Sequence, residues 1–462
     1  MIRRFLMRRS YNKGQWSKAR AYAERIIHLP KEQELARSVV IRSYWNESQY
    51  QKVIQLNSTW GHTFQELADK ASYALAIQKP GQSKVHHPRI LALQGGQPKP
   101  KARDIVWNPD DMTKNFFQEG LRLWMRHPNG WTHWDMPEKF SLSSTHPSLL
   151  ILTAEVLLSP WVPSTKTEFP YSRAMGTKPS LAFSAGTDST AASFVMPEDT
   201  ILGYHRRNFT SMIDHRNASR LLNHLEIMRK KEILDVASNH ELLRTYHYKQ
   251  IGFSTDFACA SHLILLADTY DIGAIGVGMV LDNTWLWKGR KFRDFSNTSY
   301  YQYWKRRFLD AGIDLLIPLG GVSEAGAMKI CQKENILPYM NSCLRGDGAS
   351  GCGACWKCFH KNGPFGRPFD INAKEIQIFL QRRPLPTATH ALWALKQLKQ
   401  ESQTPDLKHL LEQDFNWWTS YYPPATEILP VRWKEGISTK IASHLQPMEQ
   451  PFVLESVNHF DE

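Results

Sequence analysis

Two stretches of the 462-residue chain place residue types at spacings that could do chemistry. The first, Ser180–Ala192, reads S-L-A-F-S-A-G-T-D-S-T-A-A. An apolar run, Leu181-Ala182-Phe183, leads into Ser184-Ala185-Gly186-Thr187-Asp188-Ser189 and then into a run that favours helix. Strand, small-residue loop and helix start, in that order, make a cradle for an anion. Small side chains let a phosphate approach the backbone, unpaired N–H groups point at it, and the hydroxyls of Ser184, Thr187 and Ser189 add donors. The alternative is an ordinary turn whose Ser, Thr and Asp merely cap a helix. The second stretch is Cys343-x8-Cys352-x2-Cys355-x2-Cys358. Four thiolates with two tight steps and one longer excursion can close a tetrahedron around Zn²⁺, leaving no open position for a water, so the site is structural by chemistry. An iron–sulfur cluster is the rival, although the Cys-Pro that completes the bacterial ferredoxin run is missing.

Both stretches need a scaffold, and the sequence supplies one. From Pro179, short apolar runs alternate with helical patterns: strands at Leu181–Phe183, Thr200–Tyr204, Ile233–Val236, Ala274–Gly278 and Leu315–Pro318, with helices near 189–196, 215–231, 256–270, 299–311 and 323–334. This spacing predicts βα units and a Rossmann-like, parallel, five-stranded sheet. Ligands of such sheets sit at the carboxyl ends of strands, where Ser184–Ser189 falls.

The loop lacks the G-x-x-x-x-G-K-[ST] spacing of a Walker loop. It resembles instead the S-G-G-x-D-S loop of the PP-loop ATP pyrophosphatases, the adenine-nucleotide alpha-hydrolase-like (HUP) type. Ser184, Gly186, Asp188 and Ser189 match, and Ala185 replaces the first glycine. Together with Ser342-Cys343-x8-Cys352-Gly353-x-Cys355-x2-Cys358 and the approach segment Pro318–Ile330, the chain from about Lys178 to Asp370 resembles the 7-cyano-7-deazaguanine synthase family. The resemblance implies ATP at the loop, attack of a substrate carboxylate on the α-phosphate, release of pyrophosphate, and Mg²⁺ as assistant. It implies that Ser184, Ala185, Gly186, Thr187, Asp188 and Ser189 hold the leaving group. Asp188 then lies near the metal, and Asp188 with Ser184 would be catalytic. It also implies that His205 meets the adenine or ribose and that Asp256 and Asp282 lie on the pocket. The synthases carry glycine-arginine-asparagine after the third strand and proline-aspartate-cysteine-arginine after the fourth. This chain has Ser254-Thr255-Asp256-Phe257 and Leu281-Asp282-Asn283-Thr284 there, so the likeness covers the nucleotide half of the site and not the substrate half. A tRNA-thiolating PP-loop enzyme is the rival activity, with Cys259 as its remaining candidate thiol. A nucleotide-binding scaffold without turnover is the rival of another class.

Around this domain, residues 178–370, lie three other regions. Residues 1–78 are helical, and Gly14–Ala19 is echoed by Ser48–Val53 at an offset of 34, the tetratricopeptide period, which suggests a docking surface for a protein partner. Residues 79–177 combine a polar connection, Lys79 to Lys101, with a segment holding Trp107, Trp124, Trp131 and Trp134, read as an aromatic packing layer, and a strongly apolar helix at Ser148–Leu158. Residues 371–462 are helical and end in an acidic tail expected to be loose. The net charge of +13 fits a nucleotide or an acidic partner, and no basic block of the kind that marks a nucleic-acid arm stands out. A chain without a long apolar run or a secretory leader is expected in the cytoplasm, where clustered cysteines speak for metal rather than disulfides.

Overall fold

The computed structural model describes residues 2–460 apart from 13–14, 48, 66, 70, 73–87, 103, 210, 212, 214, 248, 344 and 346–349. Contacts divide the chain into two units: the chain up to Pro98 with Arg244–Ile251, and Lys99–Leu243 with Gly252–Glu462.

In the smaller unit, helices Ile2–Asn12, Trp16–Glu24, Gln33–Asn46 and Tyr50–Thr59 pack in sequence. The second and fourth begin 34 residues apart, each entered through a glutamine of nearly the same conformation, Gln15 (φ −83°, ψ 66°) and Gln49 (φ −86°, ψ 59°). Each buries the residue three places on, Ala19 and Val53. The offset legible in the sequence is thus an offset between two helix hairpins. Much of the polar connection expected from Lys79 to Lys101 lies outside the described residues, and Pro88–Gly95 within it is helical.

The larger unit is mixed α/β around a mostly parallel sheet of eight strands, not five. Strands β1 (Phe116–Glu119), β2 (Arg122–His127) and β3 (Gly130–Asp135) come from the tryptophan-rich segment. The parallel part is β4 (Lys178–Phe183), β5 (Ile201–Arg207), β6 (Ile233–Ser238), β7 (Ile272–Val277) and β10 (Asp314–Leu316), and a small hairpin, β8 (Leu286–Trp287) and β9 (Lys291–Phe292), stands apart. The order is β1-β2-β3-β6-β5-β4-β7-β10. The three added strands are antiparallel, and β3 joins the edge of β6 through Trp134↔Ser238 and Asp135↔Ala237. An edge strand left bare is a template for unwanted pairing, and this meander covers it. The tryptophans supply the packing: Trp134 is fully buried and Trp124 lies parallel to Phe117 at 6.4 Å.

Side chains alternate across the sheet as the pleat demands. Leu181, Phe183, Leu202 and Tyr204 face one core with Ala191, Val195, Leu221 and Ile330. Ala182, Ile201 and Ile275 face the other, with the Pro147–Leu158 helix and Leu263. Instead of a long helix over 256–270 there is a 3₁₀ turn, Ala258–Ala260, and a short helix, Ser261–Leu265. The chain end is not loose. Beyond a helix at Val431–His444, Leu454 and Val457 are buried, and the Val457 carbonyl accepts a hydrogen bond from the Phe292 N–H. Among the described residues no helix is long and apolar enough to cross a membrane.

Candidate functional site

β4 lies between β5 and β7: the chain first adds β5 and β6 on one side of it and then crosses to add β7 and β10 on the other, so the strand order reverses there. In a parallel sheet that reversal opens a crevice at the carboxyl ends. Ser184–Ser189 occupies it. Ser184 is exposed, and the Thr187–Val195 helix starts directly after Gly186. The turn is knitted by its own hydroxyls: Ser189 Oγ accepts from the Ser184 N–H at 3.1 Å, lies 3.0 Å from Ser184 Oγ and donates to the Gly186 carbonyl at 3.2 Å. First-turn N–H groups of a helix have no partner inside it. Ala185 adopts φ +58°, the left-handed conformation that glycine takes freely and alanine takes at about 1–2 kcal/mol. The one residue that departs from the S-G-G-x-D-S pattern therefore sits in a glycine conformation. From β7, Gly278 closes against the loop so tightly that a Cβ there would come within 3.1 Å of Ser189 N and Cα.

Beneath the loop lies a buried charged centre that sequence reasoning missed. Both Asp188 oxygens accept hydrogen bonds from Lys361 Nζ, at 3.0 and 2.8 Å. The ammonium is also 3.6 Å from Glu324 Oε2, which lies 3.2 Å from His360 Nδ1 and 3.4 Å from His390 Nε2. Burial opposes the charge on Lys361, yet Asp188 and Glu324 raise its pKa above the lysine range. Burial likewise opposes ionisation of Glu324, and Lys361, His390 and His360 together hold its carboxyl well below the usual range. Asp282, fully buried, is pushed the other way by burial and by the Glu324 charge; its Oδ2 accepts from the Glu324 N–H at 3.1 Å, and Asp188 and Lys361 are near enough to bear on it.

Glu324, His360 and His390 are close enough to suggest a metal site, but the hydrogen bonds speak against one. Trp418 Nε1, a donor only, gives its proton to His390 Nδ1 at 3.2 Å, so in the neutral ring the proton is on Nε2, which meets the His360 carbonyl at 2.8 Å. A protonated nitrogen cannot ligate.

The four cysteines do form a group that can hold a metal ion such as zinc. Their sulfurs are 3.7 Å (Cys343–Cys355), 3.7 Å (Cys355–Cys358) and 3.9 Å (Cys352–Cys358) apart. A tetrahedron with Zn–S bonds of about 2.3 Å has edges of about 3.8 Å, whereas a disulfide needs about 2.05 Å. This element is joined to the loop from both of its ends: Ser342 Oγ hydrogen-bonds Thr187 Oγ1, and Lys361 follows Cys358 by three residues in a π-helical turn, Cys358–Asn362.

Of the other expected site residues, Asp282 belongs to this centre, and His205 and Asp256 are not brought to the loop. Asp256 is exposed and accepts from Tyr300 Oη at 2.8 Å. His205 faces away from Tyr204 and so away from the Thr187–Val195 helix, into a layer with His240 (ring centroids 4.2 Å) and His262 (6.4 Å) beside the Arg207–Glu241 ion pair. Burial holds His205 and His262 neutral, with pKa values lowered to about 3. Signals for the missed residues existed: Glu324 stands alone in the small apolar run Gly320–Met328, and Lys361 closes the cysteine segment.

A family model described as a family of unknown function (DUF6395) matches residues 303–363, a segment that holds Glu324, the four cysteines, His360 and Lys361. The chain has no match among curated proteins and none among solved structures.

Proposed function

We propose that the chain is an ATP-dependent adenylating enzyme of the PP-loop pyrophosphatase type. In this reading a substrate carboxylate attacks the α-phosphorus of ATP, the bond to the bridging oxygen breaks, pyrophosphate leaves, and ammonia or another nucleophile then displaces AMP from the acyl-adenylate. The observation that carries the reading is the conjunction at the end of β4: an exposed Ser184, a strained Ala185, and a helix start, all at the strand-order reversal of a parallel sheet. Negative charge accumulates on the departing pyrophosphate, and fixed N–H donors aimed at it stabilise the transition state beyond the ground state. The exposed Ser184 adds a hydroxyl, Ser189 braces the turn from within, and Gly278 keeps the neighbouring strand end close without a side chain in the way. Mg²⁺ would enter with the phosphates, because Asp188 has both oxygens engaged by Lys361.

The thiolation reading draws less support. Burial and the Asp256 charge push the Cys259 thiol up to about 12, and a thiol that stays protonated is a poor nucleophile. The decisive assay supplies purified protein with ATP, Mg²⁺, a panel of carboxylates, and ammonia. Pyrophosphate and AMP in equal amounts are expected with one member of the panel. ATP binding with no pyrophosphate from any member would replace the enzyme by a nucleotide-binding scaffold.

A further inference from the structure

We propose that Lys361 is the chain's own cation for phosphate groups arriving at the Ser184–Ser189 loop, held there by the cysteine-anchored turn. The inference rests on the phosphate-loop reading and names the residue that reading lacks, since the loop ends without the lysine of a Walker motif.

Three observations converge. First, position: the ammonium lies at 2.8 and 3.0 Å from Asp188, in the first turn of the helix that starts after Gly186 with no side chain capping it. Second, an opening: Lys361 itself is only 6% exposed, yet Asp188 is 27% exposed, so the ion pair meets solvent on the loop side while Glu324 closes it behind. Third, construction: Lys361 is carried on a π-helical turn, a rare backbone form that recurs at functional sites. That turn is fixed by Cys358 and by Asn362, whose Oδ1 accepts from Arg367 Nη1 at 3.1 Å.

A stability role alone explains this poorly. Asp188 in a first helical turn is already favoured by the helix dipole. Buried ion pairs, moreover, seldom add more than apolar residues of the same shape would. An ammonium kept charged behind a phosphate cradle, by contrast, supplies a donor where pyrophosphate charge develops. Asp188 then acts as the holder of the lysine and not as a free metal ligand.

Calorimetric titration of the full-length protein with inorganic pyrophosphate, and separately with ATP and Mg²⁺, tests this. We expect Lys361→Met to bind pyrophosphate at least about tenfold more weakly and with a shallower salt dependence, and Lys361→Arg to stay within about threefold, as for loss and retention of one charge-assisted contact. Because Lys361→Met strands two carboxylates, the pair Asp188→Asn and Asp188→Asn/Lys361→Met gives a second comparison. The double variant is expected to be weaker than the single one by a smaller factor, since the lysine has already lost its holder. Equal affinity within either comparison overturns the assignment. A wild-type protein that binds neither pyrophosphate nor ATP overturns the phosphate-loop reading itself.

Discussion

Two clusters of buried titratable side chains lie near the carboxyl ends of the parallel strands, and they are built in opposite ways. Around Asp188 three charges meet: Lys361 sits between Asp188 and Glu324, the two histidines beside Glu324 are themselves lowered by burial, and one edge of the assembly reaches solvent. Around His205 the rings are neutral: His240 and His262 lie against His205 at tilted angles, and the three Nε2 atoms have no hydrogen-bond partner among the described residues. Both are largely buried, so burial does not distinguish them. Charges that hold one another in place and open onto a loop do. The histidine layer sits where adenine or ribose was expected; in the structure it is packing between β5, β6 and the Ser261–Leu265 helix.

The comparison breaks most visibly at the metal. The charged centre hangs on a turn fixed by Cys358, whereas the histidine layer hangs on the sheet. We expect about one zinc per chain by elemental analysis, lost in Cys355→Ser, with destabilisation on the order of 10 kcal/mol, the scale of structural zinc binding. Hydrogen exchange should then show amides of Cys358–Asn362 and Thr187–Val195 opening first while β5 and β6 stay protected. Simultaneous opening of all four segments would show that the two clusters share one cooperative unit.

Removing one charge from the centre comes next. Glu324→Gln leaves Lys361 without its rear carboxylate, and breaking a buried pair in this way costs about 3–5 kcal/mol, readable by urea unfolding. Asp188→Asn should slow pyrophosphate release about a hundredfold or more, a loss of the size seen when a preorganised charge is removed from a transition state. His240→Gln should leave that rate within about twofold, because the layer faces away from the loop at which the proposed reaction takes place. A large rate loss in His240→Gln would return His205 and its neighbours to the site.

The layer should instead reveal itself through pH. Histidines with folded pKa values pushed below their unfolded 6.5 are neutral in the folded state, and the unfolded chain binds the extra protons. Stability is therefore full above about pH 6.5 and falls as the pH drops toward about 3, each such residue contributing a slope of about 1.4 kcal/mol per pH unit. His205 carries this behaviour from burial and from the Arg207 charge, and His262 from burial and from His205 beside it. Between pH 7 and 5, His262→Gln should unfold with a shallower acid slope than wild type, and equal slopes would mean that water reaches the rings.

What the sequence made legible follows from range. The strands β4, β5, β6, β7 and β10 were readable because each is a short apolar run between turn residues, and the cysteine group because four thiolates within sixteen residues are a local signal. The meander of β1, β2 and β3 was not, since its tryptophans alternate between a packed and a half-open face only once β3 has found β6. Lys361 and Asp188 stand 173 residues apart, and nothing local announces that they meet. His205 was misplaced for the same reason: a strand-end histidine carries no mark of which face it takes until its neighbour Tyr204 claims the other core.

The smallest effect concerns Ala185, and its smallness is the test. Replacing a buried alanine of ordinary conformation by glycine costs about 0.5–1 kcal/mol in chain entropy and about 0.8 kcal/mol for the lost methyl. At φ +58° the same change relieves about 1–2 kcal/mol of steric strain, so the terms nearly cancel. Ala185→Gly should therefore unfold within about 0.5 kcal/mol of wild type. Ala185→Val, whose branched side chain tolerates the left-handed region worst, should be less stable by about 2 kcal/mol or more. If instead glycine destabilises as it would in a plain strand end, the loop is not held in the glycine conformation, and the likeness of Ser184–Ser189 to a phosphate cradle loses its geometric support. In the proposed reading, strain kept at Ala185 beside a lysine kept charged ties the loop and the centre beneath it into a single site.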